Sequence, residues 1–244
     1  MLKTICRIAF LVILASNSLT LFAQTENVPS PKSVLGFQPT DDRTIADWKQ
    51  ISGYFAKLDA ASPRVKVQEI GKTTLGKSQI VAFISSAENI NNLETYKLHS
   101  QNISRLHRIP SGFKQVINKN EKIISKSKDP FSYNGKTIVA ISCSIHSTEI
   151  VASQMSMLLA HQLATATDQK TKEILDNTIL LLIPSANPDG IDIVADWYRK
   201  TLGTKYEGTS PPELYQHYAG HDNNRDWFMM NLAETRNITK LFWQ

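Results

Sequence analysis

One histidine and one glutamate have the spacing that lets two side chains bind the same cation. His146 and Glu149 lie where an apolar, strand-like run ends and an apolar helix is expected to begin. In an open α/β sheet, the crevice beyond the carboxyl ends of the strands is the favoured place for a ligand. An imidazole nitrogen and a carboxylate oxygen are both ligands that zinc accepts. The pair therefore indicates a metal site.

The same residues also have a purely structural interpretation. Ser147 or Thr148 can act as the N-cap of the following helix, and Glu149 is favourable near the positive N-terminal end of that helix. An H-x-x-E spacing taken alone does not separate the two interpretations, so the decision depends on the rest of the chain.

Three further polar motifs follow in a fixed order: Asn187-Pro-Asp-Gly190, Trp197-Tyr-Arg-Lys200 and Asp222-Asn-Asn-Arg225. Each has a simple explanation of its own. The first is a good turn by composition, Arg199 can be an ordinary surface cation, and Arg225 can pair with Asp222 or Asp226. Their joint order is the informative feature.

With these motifs in this order, the sequence resembles the zinc carboxypeptidase family, the carboxypeptidase A-like metallopeptidases. The resemblance covers most of the chain, from the turn between Ile70 and Ile80 through H-x-x-E and N-P-D-G to the Asn-Arg pair. It implies an α/β fold with three α/β/α layers, a mixed, partly parallel sheet, and one catalytic zinc ion.

The resemblance also implies a role for each candidate residue. His146 and Glu149 match two zinc ligands, and Arg199 matches the arginine that polarises the scissile carbonyl and holds its oxyanion. Asn224 and Arg225 match the pair that grips the terminal carboxylate, so the implied partners are the C-termini of peptides or proteins. A guanidinium binds a carboxylate in a bidentate way, which distinguishes a chain end from an internal peptide bond.

The site is incomplete in this sequence, because catalytic zinc needs three protein ligands and a water. His161 is too far beyond Glu149 along the predicted helix to reach the same ion. His217 and His221 precede Arg225, whereas family members place the third ligand after the Asn-Arg pair; the family's later tyrosine and general-base glutamate also have no counterpart. A predicted helix over 232–242 runs to the end of the chain without Gly or Pro. We therefore expect that the C-terminal part of the catalytic domain is missing.

A competing motif lies at Gly71–Ser78, where the sequence fits the phosphate-binding pattern G-x-x-x-x-G-K-[ST]. That loop requires a helix after its last residue, because the free amides of the helix N-terminus hold the phosphates. Residues 79–84 are instead rich in β-branched and aromatic side chains. The pattern favours a hairpin turn over a nucleotide site.

The elements that must position these motifs alternate between strand and helix. We predict a helix over 45–58 behind Asp41 and Asp42, a hairpin, a weak helix over 92–106 and a long polar segment over 107–135. The predicted strands are Val65–Ile70, Ile80–Ile84, Thr137–Cys143 and Thr178–Ile183. A predicted helix from Glu149 through Leu163 lies between the last two strands. The continuous apolar runs of the last two strands favour a buried parallel pair joined by a crossover.

The N-terminus predicts export. Lys3 and Arg7 precede an apolar run, and a cleavage site follows at Ala23, as in a secretory signal peptide. A membrane anchor is the alternative, but the run is short for a span of about 20 residues. The expected organisation is a signal peptide over 1–23, a linker or N-terminal arm over 24–40 and the partial catalytic domain over 41–244. The mature protein would be secreted or periplasmic, without a stable membrane anchor.

Composition excludes several other classes. A hydrophobic content of 41% is too high for a disordered chain, and two cysteines do not make a disulfide framework. After loss of the leader, Cys143 would be an unpaired core thiol. The formal charge of +5 is scattered, and its densest stretch, Lys114–Lys128, has few aromatic residues. A solvated loop explains that stretch better than nucleic-acid binding does.

Several functional hypotheses remain open. The leading one is an exported zinc metallocarboxypeptidase of which this chain carries part of the active site. An inactive truncated product or pseudoenzyme that at most binds peptide C-termini is a second, and a related zinc amidase or deglutamylase is a close variant of the first. A nucleotide-binding protein would require a helix over 79–90.

Overall fold

The computed structural model describes residues 28–108, 135–213 and 219–243, without the side chains of 102–108. The predicted signal peptide, the Lys114–Lys128 stretch and His217 lie outside the described residues. The export signal and the domain boundaries therefore stay predictions. Within the described ranges, no helix is both long and apolar enough to cross a membrane.

Helices and strands alternate along the described chain. The helices are α1 Pro31–Leu35, α2 Trp48–Ala61, α3 Ala87–Asn91, α4 Leu93–Arg108, α5 Ile150–Thr165, α6 Gln169–Asn177, α7 Pro188–Thr201 and α8 Ala233–Trp243, with a 3-10 turn at Asn223–Arg225. The strands are β1 Val65–Lys72, β2 Ser78–Ile84, β3 Thr137–Ser142 and β4 Thr178–Ile183.

The four strands form one mixed sheet in the order β1-β2-β4-β3. β1 and β2 make the predicted antiparallel hairpin, and β2 pairs with β4 in the same sense. β3 and β4 are parallel, from Thr137 opposite Thr178 to Ser142 opposite Ile183, with α5 and α6 between them in sequence. The predicted parallel pair with a helical crossover is confirmed.

Helices cover both faces of the sheet. Along β4, Leu180 and Leu182 face a core built with α2 and α5, whereas Ile179 and Ile183 face a second core that includes Ile238 of α8. This alternation with a period of two puts both faces of β4 in apolar surroundings, which explains its unbroken run of apolar residues. The predicted three-layer α/β/α arrangement is confirmed.

The prediction that the Thr137–Cys143 run is a buried strand is wrong for most of its length. Ile138 and Val139 are 42% and 41% exposed, although Cys143 just beyond the strand is buried. The physical reason is the position of β3 at the sheet edge, where the described residues provide no strand beyond it. An apolar run indicates that a strand suits burial, but the topology decides whether anything covers it.

The N-terminal region differs from its prediction at two places. A short helix, α1, with Ser30 as its N-cap, lies inside the stretch predicted to be a linker or N-terminal arm, where no helix was expected. Helix α2 begins at Trp48 rather than behind Asp41 and Asp42. Asp47 is its N-cap, and it forms a capping box with Gln50. Both side chains also accept hydrogen bonds from Arg199.

The Gly71–Ser78 segment is a hairpin turn, as predicted, because the residues that follow it form strand β2. The turn is held from outside by two buried carboxylates. Asp189 accepts hydrogen bonds from Thr73 Oγ1 at 2.9 Å and from the Leu75 amide at 3.0 Å, and Glu234 accepts one from the Thr74 amide at 2.9 Å. These bonds join the hairpin to the start of α7 and to α8.

Candidate metal and carboxylate site

The loop between β3 and α5 brings His146 and Glu149 together. Glu149 occupies the N-cap position of α5 but makes no side-chain cap bond. Its carboxylate turns back instead, with Oε1 at 2.8 Å from His146 Nδ1 and Oε2 accepting the His146 amide at 3.0 Å. The alternative in which Ser147 or Thr148 caps the helix is wrong.

A second carboxylate holds the other side of the imidazole ring. Asp222 Oδ1 lies 3.0 Å from His146 Nε2, and it also accepts the Asn224 amide at 2.8 Å. Asp222 is therefore both the N-cap of the 3-10 turn and the partner of the candidate metal ligand. Sequence reasoning treated it only as a possible partner of Arg225 and missed this role.

The two carboxylates shift the charge balance of the site. The hydrogen bond with Glu149 is the main cause that raises the pKa of His146 above its usual value. Burial acts to raise the pKa of Glu149, but its hydrogen bonds with the ring and backbone of His146 outweigh burial and lower that pKa. The contact thus favours the protonated form of His146 and the ionised form of Glu149.

These residues fit two positions of a zinc site. Asp222 lies on Nε2 of the ring and Glu149 on Nδ1. His146 and Glu149 would supply a nitrogen and an oxygen ligand to a zinc ion, which requires the deprotonated forms of both groups. A third ligand is not present in the part of the chain that the structure describes, where no group of three His, Cys, Asp or Glu side chains is arranged to hold a metal.

The predicted carboxylate-binding pair lies beside this centre. Asn224 and Arg225 belong to the 3-10 turn that Asp222 caps, and both residues are exposed. The guanidinium of Arg225 donates a long hydrogen bond of 3.4 Å to the carbonyl of Asn224. The turn thus carries the Arg225 cation and the Asn224 side chain on the surface, two to three residues after Asp222.

A buried aspartate fixes the segment after this turn. Asp226 is fully buried, and it accepts the amides of Leu232 at 2.9 Å and Asn231 at 3.1 Å. His221 Nε2 lies 2.8 Å from the same carboxylate. Asp226 therefore has His221 as a side-chain partner, and Asp222 has His146. The alternative from the sequence was a pairing of one of these carboxylates with Arg225.

Arg199 lies near the end of α7, and its guanidinium contacts the N-terminus of α2. It donates to Asp47 Oδ2 at 3.0 Å, to Gln50 Oε1 at 3.0 Å and to the Ile45 carbonyl at 3.1 Å. None of these partners is a predicted site residue. The oxyanion role that the resemblance implies for Arg199 stays a prediction.

The N-P-D-G motif, expected as a turn, is the start of helix α7. Asn187 is the N-cap, and its Oδ1 accepts the Gly190 amide at 2.9 Å. Gly190 packs closely on the loop that carries His146, because a Cβ built there would lie 2.8 Å from the Cβ of Ser147. The motif therefore supports both the hairpin, through Asp189, and the loop that carries His146.

The fold and the donor groups of the candidate site both bear on the class of protein to which the chain belongs. In this three-layer α/β protein, a histidine and a glutamate in contact beyond a parallel strand are donor groups that suit a metal ion, and an exposed Asn-Arg pair follows Asp222, the second partner of that histidine. The comparison with known proteins agrees. The sequence profile of the zinc carboxypeptidase family, Peptidase M14, matches residues 51–240, and the chain belongs to this family of zinc-dependent metallopeptidases.

Individual relatives are distant and longer. Zinc carboxypeptidase A 1 of Drosophila melanogaster is 28% identical over 104 residues, which are 43% of this chain and 23% of that protein. Carboxypeptidase A from Helicoverpa armigera has 14% identity and a TM-score of 0.45, over 86% of this chain and 47% of that one. A metallocarboxypeptidase from Burkholderia cenocepacia has 17% identity and a TM-score of 0.44, over 78% and 36%. The chain thus spans less than half the length of these relatives.

Proposed function

We propose that this chain carries the first part of the active site of an exported zinc metallocarboxypeptidase, which removes C-terminal residues from peptides. One observation carries the proposal: His146 is held between Glu149 and Asp222, and Asp222 caps the turn that presents Asn224 and Arg225. The metal position and the substrate-carboxylate position are therefore parts of one connected structure.

The residues of the chain have separate tasks in this proposal. His146 Nδ1 and Glu149 would hold zinc, which when bound supplies a Lewis acid and lowers the pKa of a coordinated water. Asp222 accepts the Nε2 proton of His146 and thereby fixes the tautomer that leaves Nδ1 for the metal. The Arg225 guanidinium would bind the free carboxylate of the substrate in a bidentate way, and the side-chain amide of Asn224 would add a donor.

The missing parts belong to the proposal as well. The third zinc ligand, the later tyrosine and the general-base glutamate would come from residues that follow Gln244 in a longer protein, here called the extended protein. The exposed apolar edge of β3 supports this, since Ile138 and Val139 would be covered by further strands. The predicted signal peptide over 1–23 would direct the protein to the periplasm or outside the cell.

Zinc stoichiometry and peptide hydrolysis of the extended protein test the function. We expect one zinc per protein, loss of zinc and activity in His146→Ala, and in Arg225→Ala a rise in KM for peptides with a free C-terminus. Lys200→Ala is the matched control for removal of a cation. Full metal occupancy and activity in His146→Ala would refute the assignment.

An inactive product that at most binds peptide C-termini is the second candidate; it would keep the turn with Asn224 and Arg225 without a complete zinc site. The reading frame beyond Gln244 separates the two, because an enzyme requires a His, then a Tyr and a Glu, in the continuation. An amidase or deglutamylase would retain zinc but prefer other acyl groups in a substrate panel.

A further inference from the structure

We propose that the buried hydroxyls of Ser144 and Ser153 are positioning groups that fix the His146–Glu149 loop for metal binding. This inference rests on the proposed zinc function and assigns a task to residues that lie outside the family motifs discussed above. Neither serine is a metal ligand in this proposal, and both act through the backbone of the loop.

The backbone at Ser144 needs an external hold. Its φ is +50°, in the left-handed region that residues with a side chain rarely adopt. The residue lies just after β3 and two positions before His146, so this conformation sets the direction in which the loop leaves the strand. A conformation of this kind persists only where the surroundings determine it.

The Ser144 hydroxyl supplies that hold by closing the loop on itself. Its Oγ donates to the Glu149 carbonyl at 2.5 Å and accepts the Ser153 amide at 3.1 Å. The first bond joins the two ends of the segment that contains His146, and the second ties that segment to the first turn of α5. Rotation of the Glu149 backbone, which would swing its carboxylate away from His146, would break the bond from Ser144 Oγ to the Glu149 carbonyl.

Ser153 extends the hold to a third segment. The residue is fully buried, and its Oγ lies 2.7 Å from Ser144 Oγ and 2.6 Å from the Pro184 carbonyl. Ser185, also fully buried, donates to the Ser144 carbonyl at 3.4 Å and accepts the Asn187 amide at 3.0 Å. Hydroxyl groups thus connect the end of β3, the start of α5 and the connection from β4 to α7.

A network of this kind suits positioning more than general stability. Buried hydroxyls cost free energy unless their bonds are made, so the network favours one arrangement of the three segments over alternatives. Groups that orient metal ligands from behind change metal affinity about 10- to 100-fold when they are removed. The Ser144 bond is made to a ligand's backbone, so we expect the lower end of that range.

The test compares zinc affinity with thermal stability in the extended protein. Ser144→Ala and Ser153→Ala remove the hydroxyls of the network, and Ser156→Ala is the matched control. Ser156 is fully buried on the same helix, but its hydroxyl donates only along α5, to the Ser153 carbonyl at 2.6 Å. Ser144→Gly provides a variant that folds readily, because glycine adopts the left-handed conformation without strain.

The expected result is a separation of the two readouts in a chelator competition with Zn²⁺. Ser144→Ala, Ser144→Gly and Ser153→Ala should bind zinc about tenfold more weakly, while Ser156→Ala stays within about twofold of the unmodified protein at a comparable loss of melting temperature. Ser144→Gly should lose affinity without melting below Ser144→Ala.

Other outcomes overturn specific statements. Unchanged zinc affinity in Ser144→Ala and Ser144→Gly would refute the positioning role and leave the proposed function standing. An equal loss in Ser156→Ala would show that the effect is general destabilisation, which also refutes it. An unmodified extended protein that binds no zinc, or a His146→Ala variant that binds it equally well, would refute the proposed function and this inference together.

Discussion

At the scale of single residues, the two nitrogens of His146 have different partners and therefore different tasks. Nε2 lies 3.0 Å from Asp222, and Nδ1 lies 2.8 Å from Glu149. A carboxylate behind a metal-bound histidine raises the basicity of the ring and fixes its orientation. Asp222 should therefore influence zinc binding although it lies 76 residues from His146.

Asp222→Asn tests this influence. The amide oxygen can still cap the 3-10 turn, but the negative charge behind His146 is lost, so we expect zinc affinity of the extended protein to fall by about 10- to 100-fold. Chelator competition measures the change. Asp196→Asn, which removes an exposed carboxylate on α7, is the control. Equal affinities in the two variants would contradict the assignment.

Arg199 can be tested for two roles at once. Its bonds to Asp47, Gln50 and Ile45 predict that Arg199→Ala lowers the free energy of unfolding by about 1 kcal/mol. The oxyanion role implied by the resemblance predicts a fall in kcat of about 100-fold as well. Thermal melts and steady-state kinetics of the extended protein measure both. A loss of stability with unchanged kcat would leave Arg199 a structural residue only.

Contacts between residues close in sequence could be predicted here, whereas contacts between distant residues could not. His146 and Glu149 were found because the strand-to-helix junction is visible locally. The position of Asp222 behind His146 was not, because the folded topology alone brings the two together. The partners of Arg199 were missed for the same reason, since Asp47 lies 152 residues away.

At the scale of elements, the β1–β2 hairpin turn is attached to two helices through buried carboxylates. Asp189 is 1% exposed and accepts bonds from Thr73 and Leu75, while Lys77 Nζ lies 3.5 Å away. Such a turn has its amides engaged by protein groups rather than by phosphates. The segment matches the nucleotide-binding pattern in sequence but not in structure, because a strand follows it.

Asp189→Asn should weaken this attachment. One acceptor oxygen becomes a donor that faces an amide or a hydroxyl in a buried place, which costs about 1–3 kcal/mol of unfolding free energy. Urea melts of the extended protein measure the loss. Asp59→Asn breaks only a surface ion pair with Lys66 at 3.4 Å and should cost under about 1 kcal/mol. Similar losses in both variants would show that the hairpin attachment contributes little.

The segment 226–232 predicts an acid-sensitive contribution to stability. Burial acts to raise the pKa of Asp226, but hydrogen bonds from the Leu232 amide, His221 and further neighbours outweigh it, so the pKa lies below its usual value. The carboxylate therefore stabilises the folded state above the unfolded pKa of about 3.9. This contribution is lost as the pH falls below about 4 and through the folded pKa.

Thermal melts from about pH 2.5 to about pH 6.5 check the sign of this pH dependence of stability. The difference in melting temperature between the unmodified protein and Asp226→Asn should be largest near neutrality and shrink toward the acid end. Asp168→Asn, in which an exposed helix cap is kept by the amide oxygen, should show a smaller change with pH. A difference that grows on acidification would contradict the sign.

The predicted elements differ in accuracy for a physical reason. β4 is found at its observed residues because both of its faces are apolar. α6 was not predicted, because only Leu175 of its nine residues is buried and the apolar spacing is therefore weak. The start of α2 was placed too early, because Asp41, Asp42 and Asp47 are all acceptable caps and only the capping box with Gln50 selects the last.

At the scale of the whole molecule, large apolar side chains are exposed on both β3 and α5. Besides Ile138 and Val139, Val151 and Met155 on α5 are 73% and 41% exposed at a spacing of four residues. α5 is apolar nearly all round, which is typical of a helix buried in a larger protein. Exposed strand edges and apolar faces promote association.

We therefore expect the isolated segment 24–244 to be unstable or to aggregate. Light scattering and a melt followed by circular dichroism measure this, with the extended protein as the control. Val151→Lys together with Met155→Lys should raise the solubility of the segment, because both substitutions replace an exposed apolar side chain by a charged one. A cooperative melt of 24–244 as a soluble monomer would refute the expectation.

The close contact of Gly190 with Ser147 has a consequence for how sequences of this kind are compared. Any side chain at position 190 would press on Asn187 and on the strand-to-helix corner, so the glycine is demanded by shape whether or not a reaction takes place. Relatives that fold but do not hydrolyse peptides should therefore also have glycine at this position. If the proposed function holds, active and inactive relatives would differ at Glu149 and Asp222, whose carboxylates hold the His146 ring, rather than at Gly190.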